Sequence, residues 1–185
     1  MLGRLGPVFA LLAAALPFGT RAADFKLASP ELTPGGRFEA RHVYGGFGCS
    51  GGNVSPALSW SGAPAGTKSF ALTVYDPDAP TGSGWWHWVM FEIPATVTAL
   101  PAGAGDPAGG KAPKGAVQTG TDFGKPGFGG PCPPQGDPAH RYVFTLFALK
   151  VEKLGADPAS TAAMVGFMLN ANALGKATFT VYYGR

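Results

Sequence analysis

Glycine and proline constrain this chain more than any other feature: 29 Gly and 18 Pro in 185 residues interrupt the backbone too often for long helices. They leave short strands joined by turns as the main regular structure. The length fits one domain with a true core, and 45% hydrophobic residues with charges of both signs fit a globular protein.

The first residues read differently from the rest. Arg4, the apolar run from Val8 to Leu16 and the small-residue pattern Thr20-Arg21-Ala22 predict a secretory signal over residues 1–22, cleaved near Ala22 or Ala23. The apolar run is far shorter than the roughly 20 residues of a bilayer span, so no transmembrane segment is expected in the mature chain, residues 23–185. Without Arg4 and Arg21 the 14 basic residues become 12 against 11 acidic, a net charge of +1. No Lys/Arg cluster remains, which argues against nucleic acid or an anionic membrane surface as a bulk partner. The expected location is exported, periplasmic or secreted.

Alternation places the strands. In Ser69–Tyr75, Phe70, Leu72 and Val74 oppose Ala71, Thr73 and Tyr75, a strand covered on both faces. The next strand runs from His87 to Ile93, with His87, Val89, Phe91 and Ile93 on one face. A third spans Tyr142–Leu149 with Tyr142, Phe144, Leu146 and Ala148 together. Residues 99–139, rich in glycine and proline, are expected to make a long excursion over the surface. Asp157-Pro158 predicts a helix start, with the helix running to Leu174 before Gly175. Its stripe of Met164, Phe167, Met168 and Ala171 is assigned to the core, and a last strand covers Ala177–Tyr183.

The chemistry gathers at the strand ends. Asp76-Pro77-Asp78-Ala79-Pro80 is followed at once by Trp85-Trp86-His87-Trp88, and Cys132-Pro133-Pro134 and His140-Arg141-Tyr142 answer from far along the chain. Each piece alone is bland: a proline turn, a core histidine, a strand start. Together they supply a carboxylate, two imidazoles, a phenol and rigid proline walls, held in loops by a scaffold. Trp85, Trp86 and Trp88 can add apolar walls, and an Asp78–Arg141 pair would join the two segments. A cis bond at Ala79-Pro80 is expected in so tight a loop. Gly48-Cys49-Ser50-Gly51-Gly52 matches a nucleophile elbow, but Asn53-Val54-Ser55-Pro56 follows where a helix is required. The two cysteines, Cys49 and Cys132, are expected to form a disulfide after export, tying the glycine-rich loop to the pocket segment.

The segments "YDPDAPTGSGWWHW", "QTGTDFGKPGFGGPCPPQGDPAHRYVFTLFAL" and "AMVGF", in this order, resemble the phosphatidylethanolamine-binding protein family, in particular its bacterial Raf-kinase-inhibitor-like branch. The resemblance covers about Leu27 to Tyr183. It implies an all-β-dominated fold of two antiparallel sheets with a C-terminal helix. It also implies that Asp76, His87, His140 and Tyr142 surround one small cavity completed by Pro133, Pro134 and neighbouring backbone N–H groups. Cys132, beside those prolines, is taken as a further ligand-binding residue, and Asp78, Pro80 and Arg141 are assigned structural roles from the spacing of the motifs.

Such a cavity suits non-catalytic binding of a small phosphate-bearing anion, with Asp76 orienting a histidine and protonation of His87 and His140 near pH 6.5 strengthening the bond. Two other classes stay open: an enzyme using His87, His140 and Asp76 as acid–base groups or metal ligands, and a protein-interaction module of the inhibitor kind. No metal-ligand spacing is present in the sequence, and the G-x-G-x-x-G match beginning at Gly46 lacks the following helix a dinucleotide site requires, so no cofactor is expected. The protein partner and dimerisation stay open.

Overall fold

The strands predicted from alternation account for most of the fold. The computed structural model describes residues 24–185, and the expected signal at 1–22 lies outside them. Strands β1 (Lys26–Ala28), β2 (Leu58–Ser61) and β5 (Ala99–Leu100) form a small sheet in the order β1-β2-β5. Strands β3 (Ser69–Asp76), β4 (Trp85–Pro94), β6 (Val117–Gln118), β7 (His140–Leu149) and β8 (Ala173–Tyr183) form a larger one in the order β6-β4-β3-β7-β8. All pairings between these strands are antiparallel.

The large sheet is covered on both faces, which is why β3 and β7 carry apolar residues at nearly every position. Phe70, Leu72, Val74, Tyr142, Phe144, Leu146 and Ala148 join Leu27, Leu58, Trp60 and Leu100 in the core between the sheets. On the opposite face Ala71, Val89, Phe91, Phe147 and Leu149 meet α1 (Ala162–Asn172) through Ala162, Val165 and Leu169. Alternation therefore sorted β3 and β7 correctly. It failed in β4. Phe70 pairs with Ile93 but Leu72 with Met90, so one extra residue enters β4 there, beside Glu92 with its φ of 57°. This bulge moves Ile93 to the inter-sheet core with Trp88 and Met90, away from Val89 and Phe91.

The helix differs from its prediction at both ends and in its buried face. Thr161 is the N-cap, its hydroxyl accepting from the Met164 N–H. Asp157 instead closes a preceding turn by accepting from Ala159 N–H and Ser160 Oγ. Met164 and Phe167 are exposed, at 54% and 73%, because a helix apolar on all sides offers no periodicity by which sequence can choose its face. The helix ends at Asn172, since Ala173 already pairs with Leu149 in β8.

Two other expectations change. Residues 99–139 are not simply a surface excursion, because Leu100, Ala104, Thr119 and Phe128 are buried. Every peptide bond among the described residues is trans, Ala79-Pro80 included. The turn closes without a cis bond because Asp76 Oδ1 accepts from the N–H groups of Asp78 (2.8 Å) and Ala79 (3.1 Å).

Candidate functional site

Antiparallel order brings three strand ends together: the C-terminal end of β3, carrying Asp76, lies between the N-terminal ends of β4 and β7. His140 opens β7, Tyr142 follows two residues on, and His87 comes from β4. A second bulge aims His87. Val74 pairs with Trp88 and Tyr75 with Trp86, leaving His87 as the extra residue. Its ring meets Tyr142 edge-on at 5.0 Å while Trp88 points into the inter-sheet core. Trp86 turns to the layer beneath α1, so of the three tryptophans only Trp85 lines the cavity.

Asp76 and His140 form a buried pair, Nδ1 to Oδ2 2.8 Å. The second ring nitrogen, Nε2, lies 3.5 Å from Asp137 Oδ2. His87 Nδ1 is 2.6 Å from the Gly129 carbonyl, and the Gly129 N–H donates back to the His87 carbonyl at 2.8 Å. A carbonyl can only accept, so His87 Nδ1 carries the proton. Burial pushes this histidine down to about 4, against the opposing pull of the Gly129 bond and of the Asp76 and Asp122 charges. His87 is therefore neutral at physiological pH, which corrects the expectation that it protonates near 6.5.

The Tyr142 hydroxyl is buried and has no hydrogen-bond partner among the described residues. Burial, followed by the Asp76 charge, raises its pKa well above the ordinary tyrosine value, so it stays an O–H donor. Asp78 takes a forked contact from Arg141, with Nε to Oδ2 at 2.9 Å and Nη2 to Oδ1 at 2.6 Å, and the Arg141 backbone N–H adds a third bond at 2.8 Å. The guanidinium holds the Asp78 carboxyl below its ordinary value. This ties the turn after β3 to the start of β7.

Asp76, Pro80, His87, Cys132, Pro133, Pro134, His140 and Tyr142 all line one cavity of about 210 Å³, while Asp78 and Arg141 stand outside its lining. Phe47 and Phe123 also line it, and sequence reasoning missed both. Phe123 lies within one of the family-like segments, and Phe47 stands two residues before Cys49, which were the available signals. The two rings stack at 5.9 Å. Phe47 adopts a φ of 53° and is 65% exposed, and its loop is held from several sides. Cys49 and Cys132 are bridged, with Cα atoms 6.1 Å apart. Arg185 donates to the carbonyls of Pro133, Gly48 and Phe47 at 2.7, 3.0 and 3.2 Å. Asn53 positions the segment that receives His87, accepting from Gly130 N–H at 2.7 Å and donating to the Phe128 carbonyl at 3.2 Å. Among the described residues no three His, Cys, Asp or Glu side chains are grouped to hold a metal ion, and no helix is long and apolar enough to cross a membrane.

The phosphatidylethanolamine-binding protein profile matches residues 28–184. The chain is 56% identical over 168 residues to UPF0098 protein YbcL of Escherichia coli K12, spanning 91% of this chain and 92% of that one. The crystal structure of E. coli YbcL, described as a new member of the mammalian PEBP family, superposes with a TM-score of 0.86 at 57% identity, covering 88% of this chain and 99% of YbcL. UPF0098 protein YbhB of the same organism is 48% identical over 85% of this chain and 99% of its own length. The putative lipoprotein LppC of Mycobacterium tuberculosis is 36% identical over 84% of this chain and 70% of LppC. The chain belongs to the phosphatidylethanolamine-binding protein family.

Proposed function

We propose that the cavity binds a small phosphate-bearing anion without transforming it. The observation that carries this reading is the Tyr142 hydroxyl, a buried donor with no hydrogen-bond partner among the described residues, in a residue that lines the cavity together with His140 and His87. A buried polar group left unsatisfied is costly, and an oxyanion would satisfy it, with His140 as a second donor when its Nε2 is protonated. The volume of about 210 Å³ is smaller than the roughly 300–1,000 Å³ of drug-sized sites, so a headgroup-sized ligand fits. Phe47, Trp85 and Phe123 offer apolar contact to whatever the phosphate carries.

Binding is favoured over turnover because the groups that would do chemistry are already engaged. Cys132 is in the disulfide and the Thr81 hydroxyl donates to the Gly84 carbonyl at 2.5 Å. Asp76 accepts three hydrogen bonds when its His140 contact is counted. Both imidazoles have Nδ1 committed.

Calorimetric titration of inorganic phosphate tests the reading. Tyr142→Phe and His140→Ala are each expected to weaken binding roughly tenfold or more. Unchanged affinity in both variants, with the fold verified by thermal melting, contradicts it.

Export belongs to the same proposal. The leader pattern, the disulfide and a relative described as a lipoprotein support an envelope or secreted location. Mass determination of the N-terminus after expression in a bacterial host is expected to find cleavage near Ala22 or Ala23. An intact leader on cytoplasmic protein would overturn it.

A further inference from the structure

We propose that His87 makes the cavity selective for an oxyanion that brings its own proton donor, such as hydrogen phosphate or a protonated phosphate monoester, over a fully ionised oxyanion such as sulfate. The selectivity rests on the anion reading of the cavity and narrows its ligand class.

The geometry fixes which proton His87 carries. With Nδ1 2.6 Å from the Gly129 carbonyl, the opposite tautomer would set a nitrogen lone pair against an oxygen lone pair at contact distance. The neutral ring therefore leaves Nε2 as an acceptor, since the Gly129 bond is made by Nδ1, and His87 lines the cavity. Adding a second proton is opposed by burial of a residue that is only 4% exposed. The main chain reinforces the arrangement, since Gly129 N–H bonds back to His87 and Asn53 pins Gly130. Rotating the ring would break the Gly129 contact.

The charged and titratable groups facing His87 come from three directions. Asp76 ends β3, Tyr142 and His140 stand on β7, and Asp122 lies in the segment before Phe123. Tyr142 is a donor, while the two carboxylates add negative potential. The cavity is thus two-sided: the Tyr142 donor on the β7 wall and the His87 acceptor on the β4 wall. Sulfate and phosphate share shape and size, but at neutral pH only phosphate keeps a hydroxyl. Hydrogen phosphate can accept from Tyr142 and donate to His87 Nε2. Sulfate, or a phosphodiester without another donor, sets an oxygen lone pair against that nitrogen and leaves a buried acceptor unpaired.

Calorimetric titrations at about pH 6, where a monoester still keeps a proton on a large share of its molecules, with inorganic phosphate, glycerol phosphate, dimethyl phosphate and sulfate decide the point. Wild type is expected to bind phosphate roughly tenfold or more tightly than sulfate or dimethyl phosphate. The arms with inorganic and glycerol phosphate separate a free phosphate from a monoester as the preferred source. In His87→Gln, whose amide can turn either an acceptor or a donor toward the ligand, the phosphate-to-sulfate ratio is expected to fall toward one, chiefly because sulfate gains. Wild type that binds phosphate and sulfate equally, or dimethyl phosphate as tightly as phosphate, overturns the selectivity and leaves the anion site standing. Binding of none of the four overturns both. Should His87→Gln fail to fold, the wild-type comparison still decides.

Discussion

His140 is held by Asp76: Nδ1 lies 2.8 Å from Oδ2, with the two side chains only 5% and 3% exposed. The other carboxylate oxygen closes the turn after β3. One side chain thus sets both the histidine and the loop that carries Pro80 to the cavity.

Removing that side chain is expected to cost more than one hydrogen bond. Asp76→Ala orphans His140 Nδ1 and two turn N–H groups, for an expected loss of about 3 kcal/mol or more, measurable by urea denaturation. Asp76→Asn keeps an acceptor for the turn and is expected to lose less. Equal stability of wild type and Asp76→Ala would show that the pair and turn contribute nothing net.

The disulfide links residues 83 positions apart, and opening it frees the loop of Phe47. A Cys49→Ser, Cys132→Ser double variant is expected to lose about 2 to 4 kcal/mol through release of the closed loop. Phosphate affinity is expected to fall with it, because Phe47 and Cys132 are both cavity wall. Denaturation and calorimetry of wild type and variant check both effects. A variant matching wild type in both would contradict the clamp.

His87 gives stability a definite pH dependence. Its folded-state value near 4 lies below the ordinary 6.5, so between those values the unfolded chain binds more protons than the folded one. Its contribution is complete above about pH 6.5 and is lost as pH falls toward 4, amounting to about 3 kcal/mol over that window. Urea denaturation from pH 4 to 8 is expected to show a flatter profile for His87→Gln than for wild type. Identical slopes would mean that His87 titrates normally.

Gly84 precedes β4 with a φ of 68°, and a methyl group there would run into the Tyr75 hydroxyl and the Asp76 carbonyl. Gly84→Ala is expected to lose about 1 to 3 kcal/mol and to weaken phosphate binding by displacing the end of β3. A thermal melt paired with calorimetry checks this, and unchanged values in both would show that the turn can relax.

What sequence made legible follows from where the pattern was uninterrupted. Phe70, Leu72 and Val74, and Tyr142 through Ala148, alternate without a break, so their faces could be read directly. His87 and Ile93 could not be assigned this way, because each lies at a point where β4 gains a residue. The aromatic run Trp85-Trp86-His87-Trp88 has no regular apolar–polar alternation to mark the slip. Met164 and Phe167 were misassigned to the core because the helix is apolar on its exposed side as well. The cavity's Asp76, His87, His140 and Tyr142 came from motif resemblance, whereas Phe47 and Phe123 reach it from loops whose path no local periodicity records. The protonation of His87 was beyond sequence altogether, since it depends on a carbonyl 42 residues away.

If the cavity takes a phosphate group, arsenate, its heavier isostere, is expected to occupy the same place. Crystals grown with arsenate near neutral pH and measured at the arsenic edge are expected to show an anomalous peak inside the cavity, with the arsenate oxygens within hydrogen-bond distance of Tyr142 Oη and the His87 and His140 rings. A peak only in the groove beside Lys111 and Lys125, or no peak at saturating arsenate, would contradict the account.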